Sequence, residues 1–277
     1  VPSRPAPPAA VRPLQEAVLE WYAANARDLP WRRTTDPYAI LVSEVMSQQT
    51  QVARIVPRYE AWLERWPDEG ALAAAATPDV LAAWVGLGYN SRALRLQRAC
   101  AIVAGAGWPT DAAGLRALPG IGPYTSAAVA SFAFGEDVAA VDTNVRRVAG
   151  RIGLGGAQEL VPQGRASVWN QAAMELGALV CGARRARCEA CPAAPWCASR
   201  GAVEPAPRRA PGAAVRFQDT NRWVRGRVVA ALAAGEALPS DIDPGRLRCA
   251  LDGLVRDGLV QECGGVAALA TGTAVAR

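Results

Sequence analysis

Four cysteines, Cys181, Cys188, Cys191 and Cys197, stand in the pattern C-x6-C-x2-C-x5-C. Thiolates this close in sequence can surround one metal centre, and the C-x2-C pair supplies two ligands from a single turn. An all-thiolate set suits zinc or an iron–sulfur cluster, and spacing alone leaves both open. The other three cysteines, Cys100, Cys249 and Cys263, are scattered. An odd total of seven, without a framework of pairs, points to a reducing compartment rather than a disulfide scaffold. The loop between the first two ligands carries Arg184, Arg185 and Arg187. A metal-stapled basic loop is a suitable phosphate contact, although exposed arginines often serve only solvation.

Two carboxylates sit in contrasting settings. Glu44 lies inside the apolar run Ile40–Met46, where desolvation favours the protonated acid. Asp142, in Val141-Asp142-Thr143-Asn144-Val145, precedes a helical pattern, where free N–H groups and the helix dipole favour the anion. An acid and an anion together suit cleavage of a glycosidic bond, whose transition state is oxocarbenium-like. Taken singly, each also fits an ordinary helix glutamate or N-cap. The missing residues narrow the chemistry further. All 30 basic residues are arginine, and there is no lysine and no histidine. A side-chain Schiff base is therefore closed to this chain, and acid–base work falls to carboxylates, tyrosine or cysteine. Arginine pairs bidentately with phosphate, so a net charge of +5 fits nucleic-acid binding as well as a coding bias.

The elements that must position these groups read as helices. Leu14, Val18, Leu19 and Tyr22 recur at helical spacing over 11–28, and Leu29-Pro30-Trp31-Arg32 breaks that pattern. Helical periodicity returns over 36–66, and Pro67, Pro109 and Pro119 punctuate further helices. Strand signals are nearly absent before residue 200. Leu118-Pro119-Gly120-Ile121-Gly122-Pro123-Tyr124-Thr125 joins two predicted helices, and its glycines let backbone approach a phosphate at a helix start. A Pro-rich stretch after the cysteines reads as a linker. Beyond it, 222–234 and 243–257 predict short helices, and 259–263 with 266–269 a hairpin across Gly264-Gly265.

The hairpin, the downstream V-D-T-N-V and the four cysteines together resemble the helix–hairpin–helix DNA glycosylases of the iron–sulfur branch. Within that branch, Leu29-Pro30-Trp31-Arg32, the run Leu41–Gln51 and Trp84-Val85-Gly86-Leu87-Gly88-Tyr89 resemble the adenine glycosylase (MutY) family. The resemblance implies an all-α fold with two helical subdomains flanking a DNA groove, and a 4Fe–4S cluster on Cys181, Cys188, Cys191 and Cys197. It implies that Glu44 protonates adenine at N7 and then activates water, while Asp142 stabilises the sugar cation or traps it covalently. Tyr124 and Asn144 would orient the two carboxylates. Tyr124 also stands where the bifunctional branch has its Schiff-base lysine, in agreement with a chain that has none. Gln48, Gln49, Leu87 and Tyr89 would fill the gap left by a flipped adenine. DNA contacts are further implied for Trp31, Arg32, Thr50, Gly120, Gly122 and Thr125, beside the basic loop.

Three departures bear on the opposite base. Ser47 replaces a larger apolar residue, Asn90 replaces a second tyrosine, and the tail from about Val215 is too short for a Nudix-like domain. The expected organisation is a disordered tail at 1–12, a glycosylase domain at 13–200, a linker at 201–214 and a winged-helix-like module at 215–277. The expected activity is monofunctional excision of adenine opposite 8-oxoguanine or guanine in double-stranded DNA. The expected protein is monomeric, has no membrane association and works in the bacterial cytoplasm at the nucleoid. The alternatives are another mismatch preference on the same fold, such as thymine opposite guanine, and a non-catalytic iron–sulfur regulator.

Overall fold

A computed structural model of the chain describes residues 9–48, 50–202 and 215–271. Gln49, residues 1–8 of the expected tail and 203–214 of the expected linker lie outside them. The described helices run α1 (Val11–Asn25), α2 (Pro37–Ser47), α3 (Val52–Arg65), α4 (Glu69–Ala74), α5 (Thr77–Trp84) and α6 (Ser91–Ala106). They continue as α7 (Ala112–Arg116), α8 (Pro123–Phe134), α9 (Thr143–Ile152), α10 (Ala166–Leu179), α11 (Asn221–Ala233) and α12 (Pro244–Arg256). The strands β1 (Val260–Cys263) and β2 (Val266–Leu269) form an antiparallel ladder in which Val260 pairs with Leu269 and Cys263 with Val266. The all-α expectation and the small C-terminal module of two helices and a hairpin are both met. The one helical pattern read over 36–66 is two helices, α2 ending at Ser47 and α3 starting at Val52, because Arg92 donates to the Val45 and Gln48 carbonyls at the end of α2.

The chain forms two compact units. The first draws on Val1–Glu44, Pro109–Ala117 and Ile121–Arg208. Its core is a stack of α1, α9 and α10, each with apolar residues every three or four positions. Leu14, Val18 and Leu19 of α1 meet Val148 and Ile152 of α9 and Trp169 and Leu176 of α10. Cys181, Cys191 and Trp196 pack against the same cluster, so the cysteine loop is mounted on this core. Gly177 permits the tight approach of α10 to α9: a Cβ there would stand 2.6 Å from the Asn144 side chain. Helix α8 is buried through its middle, from Thr125 to Ser131. Its alanines pack with Ala140, and Tyr124 and Met174 flank them.

The second unit draws on Val45–Trp108, Leu118–Gly120 and Arg209–Arg277. Here Trp62 of α3 meets Trp66 and Trp84 edge-on, at ring distances of 4.6 and 5.4 Å. Helix α11 packs on α5 and α12, and α12 packs on β1. Aspartates and threonines at the helix starts make local sense of the boundaries. Asp68, Asp111, Asp142, Thr220 and Asp243 each accept a backbone N–H from the first turn of their helix, as an N-cap does.

Candidate active site and thiolate centre

The first unit brings Glu44, Tyr124, Asp142 and Asn144 together. Glu44 sits near the C-terminal end of α2 and is only 9% exposed. Burial pushes its carboxyl up to about 7; a hydrogen bond with Tyr124 opposes that shift, and the nearby Asp142 charge adds to it. Tyr124, in the first turn of α8, divides its hydroxyl between the Met174 thioether, at 3.7 Å, and the Glu44 carboxyl. Burial, and after it Glu44, holds this phenol well above its usual range, so it remains a proton-bearing group.

Asp142 is the N-cap of α9. One of its oxygens accepts the Val145 N–H at 2.7 Å and the other the Asn144 side-chain amide at 2.8 Å. Both donors lie at the positive end of the α9 dipole. Asn144 is held in turn by Arg147, whose Nη2 donates to its Oδ1 at 2.7 Å and to the Gly177 carbonyl at 2.7 Å. Arg147 Nε also donates to the Cys181 carbonyl at 2.8 Å. One turn on, Arg151 donates to the Cys181 sulfur at 3.2 Å and to the Gly182 carbonyl at 2.8 Å. Asn144, Arg147 and Arg151, at i, i+3 and i+7, therefore share the face of α9 that joins the carboxylates to the cysteine loop. That spacing is visible in the sequence, and the two arginines could have been singled out from it.

Cys181, Cys188, Cys191 and Cys197 line one cavity, with Val180, Ala186 and Ala194 as apolar wall and Arg151, Arg187 and Arg200 as cations. Burial pushes the Cys191 and Cys197 thiols up. Among the described residues no group of three or more Cys, Asp or Glu side chains is arranged to hold a single metal ion. Four soft donors with cations beside them fit an anionic thiolate-bound centre.

The other expected positions differ in how far they are presented. Arg184 and Arg185 are exposed, without an ion-pair partner among the described residues, whereas Arg187 donates to the Leu179 carbonyl at the end of α10. Arg32 is committed inward. It donates to Glu175 at 2.8 Å and to the Arg27 carbonyl at 2.9 Å, and lies over the Tyr22 ring. Glu175 is fully buried; burial opposes its charge, but hydrogen bonds from Arg27 and Arg32 outweigh this and hold it at about 2. Trp31 is half-buried in the short 3-10 turn beside Arg32. Thr125 is buried within α8. Gly120 has a φ of 78° and no room for a Cβ against Arg95, and Gly122 caps α8 with open space beside it.

In the second unit, Tyr89 is exposed at 44% while Leu87 is buried at 6%, so of the two expected wedges only the tyrosine is presented. Sequence reasoning missed the residue that holds their turn. Arg92, itself buried, donates to the carbonyls of Leu87 and Gly88 at 2.9 Å each, Val45 at 2.7 Å and Gln48 at 2.8 Å. Gln48 and Thr50 flank α2 and α3, and the Thr50 hydroxyl donates to the Gln48 carbonyl at 3.4 Å.

Residues 42–171 match the family model described as the HhH-GPD superfamily base excision DNA repair protein. The adenine DNA glycosylase of Mycolicibacterium smegmatis is 42% identical over 271 residues, covering 88% of this chain and 92% of that protein. The chain belongs to the adenine DNA glycosylase family. The Mycobacterium tuberculosis member is 43% identical over 238 residues, covering 79% of this chain and 78% of its own. The human member is 41% identical over 223 residues, which make up 71% of this chain and 41% of the human protein. Among solved structures, a thermostable thymine-DNA glycosylase matches with a TM-score of 0.65 at 27% identity, over 70% of this chain and 98% of that one. A trapped endonuclease III–DNA intermediate matches with a TM-score of 0.58 at 24% identity, over 68% and 94%, which shows the shared fold. These family members and fold neighbours agree with the resemblance read from the hairpin and the cysteine pattern.

Proposed function

We propose that this protein is a monofunctional glycosylase that hydrolyses the N-glycosidic bond of adenine mispaired with 8-oxoguanine or guanine in double-stranded DNA. The observation that carries this reading is Glu44, a buried carboxyl held at about 7 beside the Asp142 N-cap. At neutral pH a large share of Glu44 carries its proton, which is what a leaving base requires. As the N9–C1′ bond breaks, its electron pair leaves with adenine and the Glu44 proton goes to N7. The resulting carboxylate then takes a proton from the water that adds to C1′. Asp142 supplies the anion that stabilises the developing sugar cation, and Tyr124 and Asn144 hold the two carboxylates in place.

The four cysteines are the proposed ligands of a 4Fe–4S cluster. Their arrangement around a cavity supports it, because a cube of four irons offers each thiolate its own metal. Such a centre staples the loop that carries Arg184, Arg185 and Arg187. In this reading the described residues of 13–200 form the glycosylase domain, the stretch 201–214 links it to the module at 215–277, and the protein acts as a monomer on chromosomal DNA in the cytoplasm. No described helix is long and apolar enough to cross a membrane.

Single-turnover release of adenine from duplexes with A opposite 8-oxoguanine, guanine and cytosine, and of thymine from T opposite guanine, tests the assignment. Release of adenine opposite 8-oxoguanine and guanine, without thymine release, is expected. Thymine release alone would move the substrate to another branch of the fold, and no release from any duplex would leave a DNA-binding protein.

A further inference from the structure

The exposed Tyr89 is held by the C-terminal module. Its backbone lies in the left-handed region, with a φ of 46°, between the positive-φ glycine Gly88 and the start of α6. A tyrosine in that conformation needs support from its surroundings. Arg92 holds the turn from within, and its guanidinium also lies 5.8 Å from the Tyr89 ring. The second support comes from far along the chain. Arg222, in the first turn of α11, places its guanidinium 5.2 Å from the Tyr89 ring centre and donates to the Tyr89 hydroxyl at 2.9 Å. The same guanidinium lies 5.0 Å from the Phe217 ring, so it is itself pinned between two aromatics. The groove beside this contact is lined by Thr50, Gln51, Arg54, Asn90, Trp223 and Arg227, among others, and among the described residues its lining contains no acidic side chain.

We propose that Arg222 is a positioning residue that braces Tyr89 as a wedge, and that the short C-terminal module acts on base extrusion through this contact. The proposal rests on the reading of the chain as a base-flipping enzyme. When a base leaves the stack, a side chain that fills the gap must enter with its ring already oriented, because ordering it at that moment weakens binding. A ring fixed at its hydroxyl and lying beside a guanidinium has lost that freedom in advance. An arginine that only neutralised a phosphate would have no need to seat itself between Tyr89 and Phe217.

The test compares binding of the full chain to a duplex with a stable abasic-site analogue, which presents a ready gap, and to the intact duplex. The proteins are the wild type, Arg222→Ala, Tyr89→Ala and the double variant. The wild type is expected to prefer the gapped duplex, and each single variant to lose about tenfold of that preference. The double variant is expected to lose no more than Tyr89→Ala does alone, because one contact has been removed twice. Additive losses, equal weakening on both duplexes, or no wild-type preference would overturn the proposal. If Arg222→Ala lowers the melting temperature, Tyr89→Phe takes its place, since it removes only the hydroxyl that accepts the Arg222 N–H. A partial loss of preference is expected, and unchanged preference would overturn the brace. A wild type that prefers the gap yet releases no adenine defeats the proposed activity and leaves this inference standing.

Discussion

At the scale of single residues the two buried carboxyls, Glu44 and Glu175, are shifted in opposite directions, and stability should track each. Glu44 is raised from 4.5 to about 7 in the folded chain. Its favourable contribution is complete below the unfolded value and is lost as pH rises through about 7, to a total of ~3 kcal/mol at most. Glu44→Gln cannot ionise, so at pH 8 it should be more stable than the wild type to urea. That advantage should close as pH falls toward 4.5, and an equal stability at every pH would contradict the buried acid. The same variant should release adenine at least ~100-fold more slowly, and the wild-type single-turnover rate should fall as pH rises above about 7. Asp142→Asn should be slowed by a similar factor while remaining folded, because asparagine is a good N-cap and only the anion is lost. Glu175 runs the other way. Held at about 2 by Arg27 and Arg32, it supports the fold above pH 4.5, and that support is lost as pH falls from 4.5 through about 2. The sequence shows Glu44 within an apolar run, so the direction of its shift could be read in advance, and Asp142 ahead of a helix, where it is the N-cap. Glu175 also interrupts an apolar run, but its two arginines lie some 145 positions away, as the separations of 148 and 143 show.

At the scale of elements, local pattern was legible and long-range bonding was not. Periodic apolar residues located α1, and the Gly264-Gly265 turn located the β1–β2 hairpin, because those signals lie within a few residues of one another. The break between α2 and α3 left little trace, since helix-compatible residues run through it. What holds that break is Arg92, more than 40 residues away, bonded to four carbonyls rather than to an acidic side chain that a charge pattern could reveal. Arg92→Met keeps the length of the side chain but leaves four carbonyls short of a donor. It should cost ~3 kcal/mol or more in urea unfolding, and a loss under 1 kcal/mol would show that water replaces it readily. The cysteine loop is another element-scale unit. Purified without oxygen, the protein should carry iron and sulfide at four each, and stoichiometric zinc would refute the cluster. Replacing Arg184, Arg185 and Arg187 with alanine should weaken DNA binding alike across sequences. The slope of log K against log salt should flatten by up to ~0.9 per lost phosphate contact. Because Arg187 is already bound to the Leu179 carbonyl, the larger part of that change should belong to Arg184 and Arg185.

At the scale of the whole molecule, the most restrictive property is a composition. A glycosylase that also cuts the strand by a side-chain Schiff base needs a lysine amine at C1′, and all 30 basic residues here are arginine. The guanidinium stays protonated at any working pH, so arginine cannot substitute as that nucleophile. The local geometry agrees with the composition. Tyr124 occupies the position implied for the lysine, and burial keeps its phenol protonated and hydrogen-bonded rather than nucleophilic. The product should therefore be an abasic site in an intact strand. On a denaturing gel, the duplex incubated with enzyme should run uncut at neutral pH and break only after hot alkali, with alkali-dependent cleavage rising in step with free adenine. Borohydride added during turnover should trap no more adduct than a chain amine terminus can give. A covalent adduct in good yield, or strand breaks without alkali, would mean that some other amine reaches C1′. Mapping the adduct to a peptide would then show whether the terminus or a contaminating lyase had supplied it. The expected pairing of adenine release with an unbroken strand depends on no single side chain. It follows from which amines these 277 residues contain.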